Sequence, residues 1–179
     1  PFAEAFIRDT ADMTLKPGDW LSESSLEAET VRSSAVLRNQ GFYNFNKNYY
    51  FFEADTLSIP DSAILQLTIN EYTRNESPRD AKPIRKFYID DVNISYPKSL
   101  KFRDKVLKDL TTIYPGQVYS ADAVNKTYSR LSALKVFSSV NIGMTQTDTN
   151  LVDCSISLAQ SKLQGFKINL ESSINSTGL

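Results

Sequence analysis

The sequence predicts an α+β protein built from two tandem modules, each a small sheet covered by two helices. Three observations predict it. A block of Pro-Gly, serine, aliphatic and alanine positions occurs twice at an offset of about a hundred residues, a spacing that suits two similar small domains and not a solenoid. After each block, apolar residues recur at helical spacing. Beyond each of those helices the pattern switches to strand alternation interrupted by a turn. At 179 residues the chain is long enough for one large domain or two small ones.

The first copy of the block runs from Pro17 and Gly18 through Ser22 and Leu26 to Ala35, Val36 and Leu37. The second runs from Pro115 and Gly116 through Ser120 and Val124 to Leu131, Ala133 and Leu134. Pro fixes φ and Gly tolerates positive φ, so each copy opens with a turn. A serine then offers an N-cap, Ser22 or Ser25 in the first copy and Ser120 in the second. The helix that follows presents Leu26, Thr30, Ser33 and Leu37 on one face, and in the second copy Val124, Tyr128, Leu131 and Leu134. The first helix ends at Gly41 and the second at the short Lys135-Val136 link.

An aromatic opens the next strand in both copies, Phe42 and Phe137. The first hairpin is expected to run from Tyr49 to Phe52, through a turn at Pro60 and Asp61, and back from Ala63 to Asn70. In the second, Val140, Ile142 and Met144 alternate with polar residues, Asp148 to Asn150 makes the turn, and Leu151 to Leu158 returns. Ahead of the second Pro-Gly lie a strand, Lys86 to Ile94, and a helix, Phe102 to Ile113, with Phe102, Val106, Leu110 and Ile113 on one face. The second module is therefore strand, helix, helix, strand, strand. In the first, Pro1 to Met13 holds the first helix and the opening strand is truncated or irregular. The expected boundaries are 1–72 for the first module, 73–85 for a charged linker, 86–160 for the second module and 161–179 for a C-terminal strand or tail.

Composition narrows the function. Hydrophobic residues make up 41% and charged residues 23%, an ordinary globular balance. With 20 basic and 21 acidic side chains, scattered along the chain, there is no electrostatic drive toward nucleic acid or an anionic membrane surface. Histidine is absent and Cys154 is the only cysteine, so a His general base, a Ser-His-Asp arrangement and an intrachain disulfide are all excluded. Cys154 alternates with Val152, Ile156 and Leu158 and reads as a small core residue. Asp90 and Asp91 are adjacent on a strand, point to opposite faces, and so cannot share catalysis or a metal. Gly18, Gly41 and Gly116 are isolated turn glycines and not a phosphate loop. The triplets beginning at Asn75, Asn93 and Asn125 fit the N-glycosylation pattern, which short sequences match often by chance. Trp20, beside its Pro-Gly turn, reads as a packing residue. No apolar run approaches the roughly 20 residues that span a bilayer, and the opening Pro1 reads as an internal start in a longer chain.

The second module resembles the POTRA domain, through Tyr114 to Ser120, Leu134 to Phe137 and Leu151 to Ile156. The first resembles it more loosely, through Leu37 to Tyr43. Leu163 to Ser173, with Phe166, Ile168 and Leu170 alternating against Lys167, Asn169 and Glu171, is similar to the first strand of a transmembrane barrel. Its place after a POTRA-like module resembles proteins of the BamA/TamA type. The aromatic-rich Gly41 to Phe45 is similar to TamA-like members from Bacteroidetes-type bacteria.

That resemblance implies two β-α-α-β-β modules, each a three-stranded mixed sheet covered by two helices, on the periplasmic side of a bacterial outer membrane. It implies a monomeric, non-enzymatic binding scaffold with no cofactor and no metal, in a parent anchored by a C-terminal barrel. Its partners would be unfolded outer-membrane proteins or accessory assembly subunits, taken up by strand addition to a sheet edge. The edge is expected after the second helix of each module, Phe42 to Ala54 and Ser138 to Thr145, with Phe45, Tyr49, Phe51, Val140 and Ile142 as the protein-binding residues. A two-partner-secretion transporter, a generic envelope structural domain and an enzyme using carboxylates and a metal remain as alternatives.

Overall fold

The computed structural model describes residues 2–97 and 104–160. The expected face residue Phe102 and the barrel-like strand from Leu163 lie outside the described residues. Module 1 comprises α1 (Phe2–Asp9), α2 (Glu23–Asn39), β1 (Tyr50–Asp55) and β2 (Ile64–Ile69). Module 2 comprises β3 (Tyr88–Ser95), α3 (Asp104–Leu110), α4 (Ala121–Ala133), β4 (Phe137–Gln146) and β5 (Leu151–Gln160). Among the described residues no helix is long and apolar enough to cross a membrane.

Local chemistry explains the helix ends. The Ser22 side chain accepts from the Ser25 backbone N–H while the Ser25 hydroxyl takes the Ser22 N–H, a reciprocal cap at the start of α2. Ser120 accepts from Ala123 N–H at the start of α4. α2 ends on Gly41, at φ +106°, with Phe42 N–H bonded back to the Leu37 carbonyl.

Module 2 is a mixed three-stranded sheet in the order β3-β5-β4, with β3 parallel and β4 antiparallel to the central β5. β5 supplies Val152, Cys154, Ile156 and Leu158 to the core, which Phe87, Ile89, Leu107, Ile113, Tyr119, Leu131 and Phe137 complete. Two helical faces differ from expectation. In α3, Leu107 is buried and Val106 is exposed, because the inward stripe lies one residue further along. The helix also ends at Leu110, and Ile113 reaches the core from the loop beyond it. In α4, Tyr128 is exposed and Thr127 is fully buried. The Thr127 hydroxyl accepts from Thr112 N–H at 2.9 Å, which makes a polar residue tolerable there.

Cys154 is buried at the centre of this core, and burial pushes its thiol up to about 11. Thiolate is the reactive form. Iodoacetamide at pH 8 is therefore expected to leave the native protein unmodified and to label it fully in denaturant, read by intact mass. Rapid native labelling would contradict the burial.

Module 1 pairs β1 with β2 only, and among the described residues no third strand joins that sheet. Its hairpin register, Tyr50 opposite Ile69 and Asp55 opposite Ile64, matches the expected turn region. Phe42 does not open the strand. Residues 41–49 form turns and a short 3-10 segment, and β1 begins only at Tyr50. Phe42, Phe45 and Tyr50 are buried with Leu37 and Ala5, and Phe2 packs on both Phe42 and Phe45 with ring centroids 5.1 and 4.9 Å away. Those aromatics fill the gap between helices and hairpin.

A polar seam ties α1 to α2. Arg32 donates to Asp9 at 2.9 and 3.0 Å and to Glu29 at 2.6 Å. Thr14 donates to Glu29 through its N–H and hydroxyl, and Ser33 donates to Asp9 while accepting from the Tyr50 hydroxyl at 2.7 Å. Asp9 and Glu29 are both buried, so each depends on its Arg32 partner to offset the cost of desolvation.

Trp20, expected to pack, is 96% exposed. The repeat explains this. In module 2 the corresponding Val118 bridges Tyr88, and its loop bonds β3 through Gly116 N–H to the Ile89 carbonyl and Ile89 N–H to the Gln117 carbonyl. The described part of module 1 has no strand for the Pro17–Leu21 loop to bond.

Candidate functional site

A sheet edge able to take up another strand needs free backbone groups, length, and few charges or prolines to repel a partner. Three described strands are candidates, and their surroundings separate them.

β3 is blocked at its start. Phe87 N–H donates to the Gly41 carbonyl, Tyr119 N–H to the Phe87 carbonyl, and the Gly116–Gln117 loop bonds both sides of Ile89. A bulge follows between Ile89 and Val92, and Asp90 and Asp91 are both exposed there. The register shift interrupts the regular alternation at these two acids. No group of acids and thiols among the described residues is arranged to hold a metal.

β1 is short, six residues including Glu53 and Asp55. Asn70 N–H donates to the Tyr49 carbonyl, and in an antiparallel ladder bonded and open pairs alternate. Tyr50, Phe52 and Ala54 therefore turn their backbone groups outward. The first of these is already engaged, since Arg74 Nε donates to the Tyr50 carbonyl at 3.3 Å.

β4 is ten residues long and contains no charged residue and no proline. Thr147 N–H donates to the Leu151 carbonyl at 3.1 Å, which places Thr145, Gly143 and Asn141 in the bonded pairs with β5. Val140, Ile142 and Met144 consequently direct their N–H and C=O groups away from β5. No described strand pairs with that side. The side chains of the same three residues pack against the core but are only partly buried. A strand laid alongside would cover them.

The residues expected from sequence divide accordingly. Val140 and Ile142 stand on the open edge of β4. Phe45 is 2% exposed and belongs to the core of module 1, because the segment carrying it turns inward instead of extending. Tyr49 is half-buried and stacks on Phe45 at 5.3 Å. Phe51 lies on the outer face of β1, against Tyr72 at 5.6 Å and beneath Arg74. Met144 was missed as a site residue, although the same alternation that marks Val140 and Ile142 includes it.

The joint between modules sits beside this edge. Asn39 Oδ1 accepts from Asp122 N–H at 2.8 Å, so the last residue of α2 caps the start of α4. Arg38 donates to the Tyr119 hydroxyl, and Tyr43 packs edge-on against Phe87 and Tyr119. The Tyr43 hydroxyl donates to the Met144 carbonyl at 3.2 Å, and burial raises its pKa above the ordinary tyrosine value.

Comparison with known proteins agrees with this architecture. The family profile described as POTRA, surface antigen variable number repeat, matches residues 87–159. No curated protein matches the chain. Among solved structures, BamA from Haemophilus ducreyi lacking POTRA domains 1-3 superposes with a TM-score of 0.61 at 15% identity, over 83% of this chain and 25% of that one. Haemophilus influenzae BamA POTRA3-5 superposes with a TM-score of 0.56 at 16% identity, over 88% of this chain and 55% of that one. The chain thus spans a quarter of the first structure and about half of the second. Residues 87–159, whose sheet order and helix pair were described above, match the POTRA family profile, and the chain shares its fold with these two BamA structures.

Proposed function

We propose that this pair of modules is a periplasmic binding scaffold of an outer-membrane protein assembly and insertion factor, in a parent anchored by a C-terminal barrel. It engages unfolded outer-membrane proteins or accessory assembly subunits by strand addition, without turnover and without a cofactor. The observation that carries this reading is the outer side of β4, with which no described strand pairs: the strand is uncharged and proline-free, and Val140 and Ile142 present backbone donors and acceptors outward. Pairing through main-chain groups is indifferent to side-chain identity, which suits a scaffold that must accept many clients. The similarity to the two BamA structures supports the cellular setting.

Backbone NMR of the protein titrated with peptides from several unrelated outer-membrane strands tests it. Shifts concentrated from Ser138 to Thr145 and shared by unrelated peptides are expected. Val140→Pro removes an outward N–H without breaking a bond to β5, so the fold should survive. Losing one net hydrogen bond of about 0.5–1.5 kcal/mol should weaken binding about two- to tenfold. Silence along β4, or unchanged binding by Val140→Pro, would refute strand addition at this edge. Response to one peptide alone would point to a dedicated secretion transporter.

A further inference from the structure

We infer that module 1 terminates the docking edge of module 2: Tyr43 stops strand addition at Met144, so that a partner pairs only between Ser138 and Gly143. This rests on the reading of β4 as the docking edge and adds to it a length and a register.

Met144 is the last of the three outward-facing positions, and its carbonyl is already engaged by the Tyr43 hydroxyl at 3.2 Å. Tyr43 is not a loose side chain that a partner could push aside. Its ring is held 4.9 Å from Tyr119 and 5.7 Å from Phe87, and the turn that carries it, together with the end of α2, is tied to module 2 at three points. These are Phe87 N–H to the Gly41 carbonyl at 2.9 Å, Asp122 N–H to Asn39 at 2.8 Å, and Arg38 to the Tyr119 hydroxyl at 3.3 Å. Beyond Met144 the edge runs into module 1, since Gln146 and Thr149 line one cavity with Asn44, Phe45 and Tyr49. Module 1 treats its own edge similarly, with Arg74 engaging the outward carbonyl of Tyr50. The partner that fits is an extended segment of about six residues, with apolar side chains at alternate positions to cover Val140 and Ile142. A longer segment has to leave the sheet at Met144.

The test uses the full chain and two synthetic peptides of alternating threonine and valine, six and ten residues long. Amide exchange of Val140, Ile142 and Met144 is read by NMR in the native protein and in Tyr43→Ala, which removes both the ring and the hydroxyl from beside Met144, with the Asp122 and Phe87 amide shifts reporting that the joint survives. In the native protein, protection is expected at Val140 and Ile142 but not at Met144, with the two peptides binding within about twofold of each other. In Tyr43→Ala, protection should extend to Met144, and the longer peptide should gain about two- to tenfold, the value of one further hydrogen bond. Equal protection of Met144 in both proteins would overturn the stop, as would shifts in β1 when the native protein binds the longer peptide. Protection nowhere on β4 would overturn the docking edge itself, and the stop with it.

Discussion

Replacing Arg32 with methionine is expected to cost module 1 about 3–5 kcal/mol, the usual penalty for leaving buried charge without its partner. Arg32 is the only cation bonded to Asp9 and Glu29 among the described residues, and both carboxylates are buried. Module 1 buries few large side chains, with Ala5, Leu37, Phe42, Phe45 and Tyr50 forming its core, so a loss of this size should unfold it while leaving the sheet of module 2 intact. Urea titration followed by NMR resolves the two, with early loss of Phe45 and Tyr50 resonances and retention of Ile156 and Leu158.

The pH dependence gives this prediction a sign. Desolvation alone would raise the Glu29 carboxyl, but hydrogen bonds from Arg32 and Thr14 outweigh it and hold the group below its ordinary value. Its stabilisation is therefore present above the ordinary carboxylate range and is lost as pH falls through the lower folded value. In Arg32→Met the desolvation is unopposed by the cation. The carboxyl rises instead, and protonation then favours the folded state. The native protein should lose stability on acidification below about pH 4.5 while the variant gains, so the gap between them closes. A gap that stays constant from pH 7 to pH 4 would show that the lost contact is not electrostatic.

Gly41→Ala should be nearly as damaging, at the joint instead of the seam. Gly41 sits at φ +106°, and an added Cβ would lie 2.6 Å from Val118 Cγ1. Backbone strain of this kind costs about 1–3 kcal/mol, and overpacking against the stiff, β-branched valine adds about as much again. The chain must give at the joint, so the Phe87 N–H bond to the Gly41 carbonyl should be lost. Exchange at that amide and chemical shifts at Val118, Tyr119 and Asn39 report it directly. Adding Val118→Ala separates the two terms, because it removes the clash and leaves the strain. Partial recovery in the double variant is expected. Full recovery would mean that φ carries no cost here, and none would mean that the clash carries none.

Much of the fold was legible because it is encoded locally. The Pro-Gly turns, the capping serines at 22 and 120, and the alternation from Val140 to Met144 and from Val152 to Leu158 depend on residues a few positions apart. Apolar faces were legible in β5 but not in α3, where Val106 and Leu107 are adjacent apolar residues and only Leu107 is buried. Reading failed where the buried residue is polar, as at Glu29 and Thr127, since periodicity scores such positions as solvent-facing although partners from other elements satisfy them. It failed also at Phe45, where a run of aromatics reads as a strand. The turn at Gly41 and the pull of Phe2 and Tyr50 fold that run into a plug.

By itself, then, the sequence determined two modules, the order of their elements, the core parity of β5 and an inventory of side chains without histidine chemistry. Tertiary structure alone decided which strand stays open. β3 and β4 are both edges of one sheet, yet β3 is sealed by Gly41 and by the Gly116–Gln117 loop, while no described strand pairs with the outer side of β4, whose Met144 carbonyl is met by a tyrosine about a hundred positions away. An edge is defined by what does not lie beside it. That is a property of distant segments and of their packing, which local pattern cannot carry.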